Sequence, residues 1–293
     1  MRGFNFKVAD TPEDFSKYIG ANMISEDVVT VASVHKLTAT LNRRDAIPKI
    51  GDPMPPGWHH ALFPRYPLTE DLGQDGMVPE IDNGPEDPLP LRMFAGSRAR
   101  FHQPIKIGDA VQQERKLVSM VAKEGKSGKL VFATYAHTIT GPNGLCTEDD
   151  WDLVFMEDDK SGTRKPPPPK AGPEDFDWDR SININETMLF RFSACIFNPH
   201  RIHYDYPYTN EVEDYPGLVV HGPFTAIWLL ELARDNAGGK TMTGFEMRAV
   251  APLYANQDIR LIGKPSENGL TCELWALTPE GNVAMQASAT FEG

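Results

Sequence analysis

Between residues 25 and 41, Val31, Val34, Leu37 and Leu41 recur at steps of three, three and four, which is the spacing of one helix face. A shorter helix is expected over residues 11–18, where Thr11-Pro12-Glu13-Asp14 offers a cap, a proline for the first helical position and acids for the first turn. Strand-like runs follow at 93–101, 110–122, 129–140 and 151–157. They are rich in β-branched and aromatic residues and divided by turns such as GKSGK and GPNG. Residues 47–90 are crowded with proline, glycine and acids, yet Trp58, Phe63 and Tyr66 are too apolar for a solvated coil. A long, ordered loop is expected there.

The order then repeats. Residues 186–194 read as a short strand or a helix start, and 223–234 as a strongly apolar helix whose Trp228, Leu229, Leu230 and Leu232 belong in a core. Strands are expected at 243–250, 257–265, 270–278 and 283–291. Each half is thus helix first, antiparallel strands after, an α+β pattern in which a sheet wraps a helix. Residues 98–108 and 248–263 look like corresponding strand, turn, strand units, which suggests duplication. The sharpest composition break is KSGTRKPPPPKAGPEDFD at 160–177, where consecutive prolines fix φ, lack donors and favour a stiff polyproline II run. The expected organisation is an N-terminal domain over 1–160, a linker over 161–177 and a C-terminal domain over 178–293, and the 293 residues fit a prior of roughly 150 per domain.

Charge narrows the partners. Twenty-nine basic residues against 41 acidic ones give a formal net charge of −12, which argues against a general nucleic-acid or anionic-membrane binder. Any anionic ligand must meet a local basic patch. No window approaches the roughly 20 uncharged apolar residues of a membrane span. Cys146, Cys195 and Cys272 form no C-x-x-C pair and read as reduced and buried. The N-terminus lacks a secretory apolar stretch and has early acids, so a cytoplasmic location is expected.

The densest polar stretch is FNPHRIHYDYPYTNEVEDYPGLVVHGPF at 197–224, which holds three of the eight histidines. Pro199 biases Asn198 away from the helical region, so His200, Arg201 and His203 fall on an irregular segment, where catalytic groups are often placed. His221-Gly222-Pro223 opens the apolar helix, and free backbone N–H groups at such a start can stabilise a developing oxyanion. Elsewhere, Trp58-His59-His60 reads as an apolar plug, since adjacent histidines on a strand face opposite ways and make poor joint metal ligands. The acids at 148–150 and 157–159 read as solvated turns.

This stretch resembles the MaoC-like, R-specific enoyl-CoA hydratases of the hot-dog fold, whose signature D-x-N-P-x-H-x-D precedes a later H-G at the central helix. Aligned on the last histidine, the signature histidine falls on His203, its aspartate on Asn198 and its Asn-Pro on His200-Arg201. The chain departs from the pattern at those positions. The departure, with YPGLVVHGP, resembles a narrower branch of two-hot-dog hydratases acting on mesaconyl-C4-CoA or itaconyl-CoA. PPGWHH at 55–60, RMFAGSRARFHQP at 92–104, FEMRAVAP at 245–252 and ELWALTPEGNVAMQASATF at 273–291 extend the resemblance along nearly the whole chain.

The resemblance implies a tandem hot-dog fold, each half an antiparallel sheet around a central helix, and reversible hydration of an α,β-unsaturated acyl-CoA. His203 would be the acid/base, Asn198 a water-positioning amide, Gly222 an oxyanion donor, and Asp205 a substitute carboxylate that could orient His203. Arg201, then Arg92 and Arg98, are the candidates for a free substrate carboxylate, with His221 also near the substrate. Lys106, Arg100 and Arg260 would form a rim for the coenzyme A phosphates. The N-terminal half would shape the acyl tunnel without a full site. No metal or redox cofactor is expected, coenzyme A being part of the substrate, and sheet edges make a homodimer plausible. The alternatives are a thioesterase using Glu231, a dehydratase acting on acyl carrier protein, and a non-catalytic acyl-CoA binder.

Overall fold

A computed structural model describes residues 14–78, 87–125, 128–157 and 168–293. Ten strands make one antiparallel sheet: β1 (Asn22–Val28), β2 (Leu91–Phe101), β3 (Ala110–Gly125), β4 (Gly128–Gly141), β5 (Gly144–Met156), β6 (Trp178–Asn183), β7 (Thr241–Ala249), β8 (Asp258–Pro265), β9 (Thr271–Leu277) and β10 (Val283–Glu292). Their order is β1-β3-β4-β5-β2-β7-β10-β9-β8-β6. Read outward from the central β2/β7 pair, the two halves have the same order, so each strand of the first five has a partner in the second five. Gly96 to Arg100 pair with Arg248 to Gly244 at this junction. The units expected to correspond, at 98–108 and 248–263, indeed join β2 to β3 and β7 to β8.

The helices are α1 (Val31–Thr40), α2 (Glu186–Ile196), α3 (Tyr206–Glu211) and α4 (Gly222–Asn236). α1 starts later than expected because residues 22–28 alternate in exposure and pair with β3, while Thr30 and Ser33 close a capping box at the true helix start. α2 resolves the ambiguity at 186–194 as a helix, capped by the Asn185 side chain. The short β6 and α3 were not anticipated from sequence. Of the expected helix over 11–18, only residues 14–18 are described, and they hold a 3-10 turn, Ser16–Tyr18. Of the expected linker over 161–177, residues 161–167, with Pro166 and Pro167, lie outside the described residues.

α4 lies against strands of the second half, and its Phe224, Ile227, Leu229 and Ala233 are fully buried. The first half is different at the matching place. Met54 N–H donates to Ile105 O as Val220 N–H donates to Leu253 O, each at 2.8 Å, so Trp58 occupies the position equivalent to Phe224. There the chain makes only a 3-10 turn, Trp58–Ala61, before Phe63 takes a positive φ ahead of Pro64. Proline disfavours helical geometry at the residue before it, which stops the turn from growing into a second α4. Cys146 and Cys272 are buried and Cys195 half-buried, all as free thiols. Among the described residues no helix is long and apolar enough to cross a membrane.

Candidate active site

A cavity of about 650 Å3 lies between the two halves. The C-terminal half contributes Asn198, His200, His203, His221 and Gly222, and the N-terminal half His59, His60, Asp75, Phe94 and Trp151. Local sequence sets the first group. α2 ends at Phe197 in left-handed geometry, Asn198 Oδ1 then accepts the His200 N–H at 2.9 Å, and a 3-10 turn carries Arg201 to His203. This is the turn that Asn-Pro predicts.

His203 is buried, and its Nδ1 lies 2.7 Å from the Val219 carbonyl. A carbonyl only accepts, so Nδ1 carries the hydrogen and Nε2 is left as the basic nitrogen. Burial, reinforced by the neighbouring His200, pushes its pKa down to about 3, so the ring is neutral at pH 7. His221, at the N-cap of α4, stacks on it with ring centroids 3.5 Å apart. The His203 ring therefore sits at the opening of α4, and Gly222 lines the same cavity. His221 is anchored in turn by Ser193, whose Oγ is 2.8 Å from Nε2, and burial with His203 nearby holds it neutral too. Gly222 also matters sterically, since a Cβ there would press on Phe94 at 3.2 Å.

Other expected residues are placed differently. Asp205 does not reach His203: its carboxylate accepts two hydrogen bonds from Arg201, at 2.9 and 2.6 Å, and caps α3 through Tyr208 N–H. The Val219 carbonyl, not a carboxylate, fixes the histidine. Arg201 is correspondingly committed to Asp205, to Gln74 O and to the Tyr208 ring, and it does not line the cavity. Arg98 pairs with Asp152 across the sheet, also off the cavity. Of the three arginines proposed for a carboxylate, Arg92 alone lines it, close to Asp87 at 3.4 Å. Arg100 pairs with Glu148 and Arg260 with Asp179, so neither stands as a free basic rim.

The acids at 148–150 form no solvated turn; they lie within β5, and Asp149 is fully buried. His59 Nε2–H donates to Asp149 Oδ2 at 3.0 Å and Trp151 Nε1–H to the same oxygen at 2.6 Å. Although burial opposes it, the His59 hydrogen bond holds this carboxyl at about 2. Trp58-His59-His60 is therefore no apolar plug. Its 3-10 turn sets both imidazoles on one side, stacked with centroids 4.8 Å apart and 21° from parallel. The donor atoms of His59, His60 and Asp149 come within 4.8 Å of one another. The three side chains are held together here by the His59–Asp149 hydrogen bond and the ring stack.

The hydroxyacyl-thioester dehydratase type 2 profile matches residues 57–255. The mesaconyl-C(4)-CoA hydratase of Chloroflexus aurantiacus is 38% identical over 281 residues, covering 96% of this chain and 99% of that protein. This chain belongs to the hydroxyacyl-thioester dehydratase type 2 family. It is a hydro-lyase that adds water to, and removes it from, acyl thioesters. The mitochondrial type 2 dehydratase of Schizosaccharomyces pombe is 26% identical, covering 83% of this chain and 90% of that one. HtdX from Mycobacterium tuberculosis superposes with a TM-score of 0.64 at 18% identity, over 92% of this chain and 99% of the other. A second M. tuberculosis protein, described as a double hotdog fold, gives a TM-score of 0.57 at 14% identity, covering 94% and 96%. The duplicated sheet is thus a tandem hot-dog fold.

Proposed function

We propose that this dehydratase hydrates a short, branched or dicarboxylic enoyl-CoA such as mesaconyl-C4-CoA or itaconyl-CoA, with His203 as acid and base. One observation carries the substrate class: a chain of net charge −12 brings four arginines, Arg65, Arg92, Arg115 and Arg248, against two acids, Asp75 and Glu213, to the cavity that His203 lines. An anionic acyl group would find there the charge that the rest of the molecule withholds. The similarity to the Chloroflexus hydratase supports the same class.

His203 Nε2 takes a proton from water as the oxygen bonds to the β-carbon. The double-bond electrons move through the α-carbon to the thioester oxygen, where the Gly222 N–H at the start of α4 meets the growing charge. The imidazolium then returns the proton to the α-carbon, so one water is added and the ring ends neutral. Arg92 receives the free carboxylate in exchange for Asp87. No metal or redox group enters these steps. A cytoplasmic setting, with chains pairing through the outer strands β1 and β6, belongs to the same reading.

Glu231, the residue a thioesterase reading needs, is buried away from the cavity against Arg43, Arg234 and Trp58. The test is incubation with crotonyl-CoA, mesaconyl-C4-CoA and itaconyl-CoA, following hydroxyacyl product and free thiol together. Hydration of the dicarboxylic thioesters with kcat/KM at least tenfold above crotonyl-CoA is expected. Free coenzyme A without hydrated product would reverse the assignment, and turnover with the acyl carrier protein thioester alone would move it to carrier-linked dehydration. A His203→Ala protein that keeps its turnover would rule out the histidine.

A further inference from the structure

We infer that the carboxylate missing at Asn198 is supplied from the other half of the molecule, by Asp75 acting through His200 as the second group that holds the attacking water. The inference rests on the hydratase reading above and adds residues to it. His200 lines the cavity and meets His203 edge to face, with ring centroids 5.5 Å apart. Its Nε2 is 4.0 Å from Asp75 Oδ2, an approach that a bound substrate can tighten into a hydrogen bond. Nδ1 is then the nitrogen available to the water.

The placement of Asp75 is built, not incidental. Its carbonyl accepts the Arg201 N–H at 2.8 Å, and its Oδ1 accepts the Met77 N–H at 2.9 Å. Gly76 comes so close to the signature turn that a Cβ would sit 2.3 Å from Pro199 O, and its φ of +86° suits glycine. The loop therefore docks on the turn that carries His200. Asn198 meanwhile uses its Oδ1 to fix the His200 backbone, the task an aspartate there could also perform.

Two neutral imidazoles can share one water: His203 Nε2 takes the hydrogen that leaves, while His200 Nδ1 accepts a hydrogen bond from the other. Asp75, a half-buried carboxylate, orients His200 and, through it, opposes the positive charge that grows at His203. The covalent balance is unchanged, since the proton still passes from water to His203 and on to the α-carbon. His200 is thus a catalytic residue and Asp75 a positioning residue.

The experiment is a kinetic cycle on the full chain with mesaconyl-C4-CoA, measuring kcat and KM for His200→Gln, Asp75→Asn, Asp75→Glu and each of the first two combined with Asn198→Asp. Thermal unfolding identifies the variants that keep the fold. His200→Gln should lower kcat about 100-fold and Asp75→Asn about tenfold, the scale of lost acid/base assistance, with KM within threefold. Asp75→Glu should keep most of the rate. Asn198→Asp should recover at least tenfold of the His200→Gln loss, because it returns a carboxylate to the water; a structural defect would not be repaired that way. A folded Asp75→Asn or His200→Gln protein with kcat within threefold of wild type, or no recovery by Asn198→Asp, overturns the inference. Absence of hydration by the wild-type chain would instead overturn the reading beneath it.

Discussion

Replacing Glu231 by glutamine separates the two chemistries that this fold can host. The side chain is 1% exposed and receives Arg234 Nη2–H at 2.5 Å, Trp58 Nε1–H at 2.9 Å and Arg43 Nη1–H. A charge-assisted hydrogen bond contributes about 1.5–3 kcal/mol net, and losing one partner of a buried ion pair costs about 3–5 kcal/mol. Several features move this case toward the lower end of that range. Arg43 retains Asp45 and Asp235, Arg234 is partly exposed, and glutamine can still accept from Trp58. The expected loss is therefore about 2–4 kcal/mol. With unfolding entropy of about 2.1 cal/mol/K per residue over this chain, that lowers Tm by about 3–6 °C. The assay pairs urea or thermal unfolding with initial rates of hydration and of thiol release at 20 °C. Hydration should stay within threefold of wild type while the midpoint falls. Unchanged stability with abolished thiol release would show Glu231 to be chemical and refute the argument.

Three further outcomes follow from the site. His203→Ala should lower kcat by about 10²–10⁴, the range of lost acid/base catalysis, while KM stays near its wild-type value; comparable turnover would remove His203 from the mechanism. Burial raises the Asp87 carboxyl to about 6, against the pull of Arg92, so this competitor for Arg92 is charged above pH 6 and neutral below. KM for a dicarboxylic thioester should accordingly fall as pH drops through 6, and Asp87→Asn should flatten the dependence; identical profiles would separate Asp87 from substrate binding. His60, His137, His200, His203 and His221 are all held neutral in the fold by burial, with pKa values below the unfolded value of 6.5. The unfolded chain then binds more protons as pH falls below 6.5, and each ring costs about 1–2 kcal/mol of stability by pH 5. Urea midpoints should decline steeply between pH 6.5 and 5, and a flat profile would contradict the neutral histidines.

The parts of this molecule legible in its sequence are those written in local pattern. Runs of β-branched and aromatic residues bounded by turn signals located eight of the ten strands, and the step of Val31, Val34 and Leu37 located α1. β1 and the short β6 were hidden, because a half-exposed edge such as 22–28 carries little hydrophobic alternation, and its pairing with β3 lies far away in the chain. That His203, Asn198, His221 and Gly222 share one cavity wall was legible because one contiguous stretch carries them. Asp75 and Asp149 were not, since each gains its meaning from a residue 90 or more positions away, His200 or His59. Asp149 had a faint signal in retrospect: strand alternation through 147–153 places it on the face of buried Thr147 rather than in a turn. Asp205 misled for the opposite reason. Its closeness to His203 in sequence suggested contact, but Arg201, four residues before it, donates twice to its Oδ2, and Tyr208 N–H donates to its Oδ1.

On the proposed reaction, duplication explains why one half carries the acid/base histidine while the other shapes the cavity. The hydrogen bonds from Met54 and Val220 place Pro56 where the C-terminal half has Gly222. Proline has no backbone N–H, so the N-terminal copy cannot offer the donor proposed for Gly222 in the second copy. Its helix also stops after Trp58–Ala61, which leaves His59 and His60 at the cavity wall where a longer helix would have buried its first turn. That half instead brings Asp75, from the loop that follows, and Arg92, from β2, to the cavity. A glycine in place of Pro56 would restore the donor but not a histidine at the place of His203, since the residues between α1 and Pro53 include none. Pro56→Gly should therefore create no second site: titration with a slow-binding thioester should saturate at one equivalent per chain in both proteins. Two equivalents in the variant would show that the lost N–H alone had silenced the N-terminal copy.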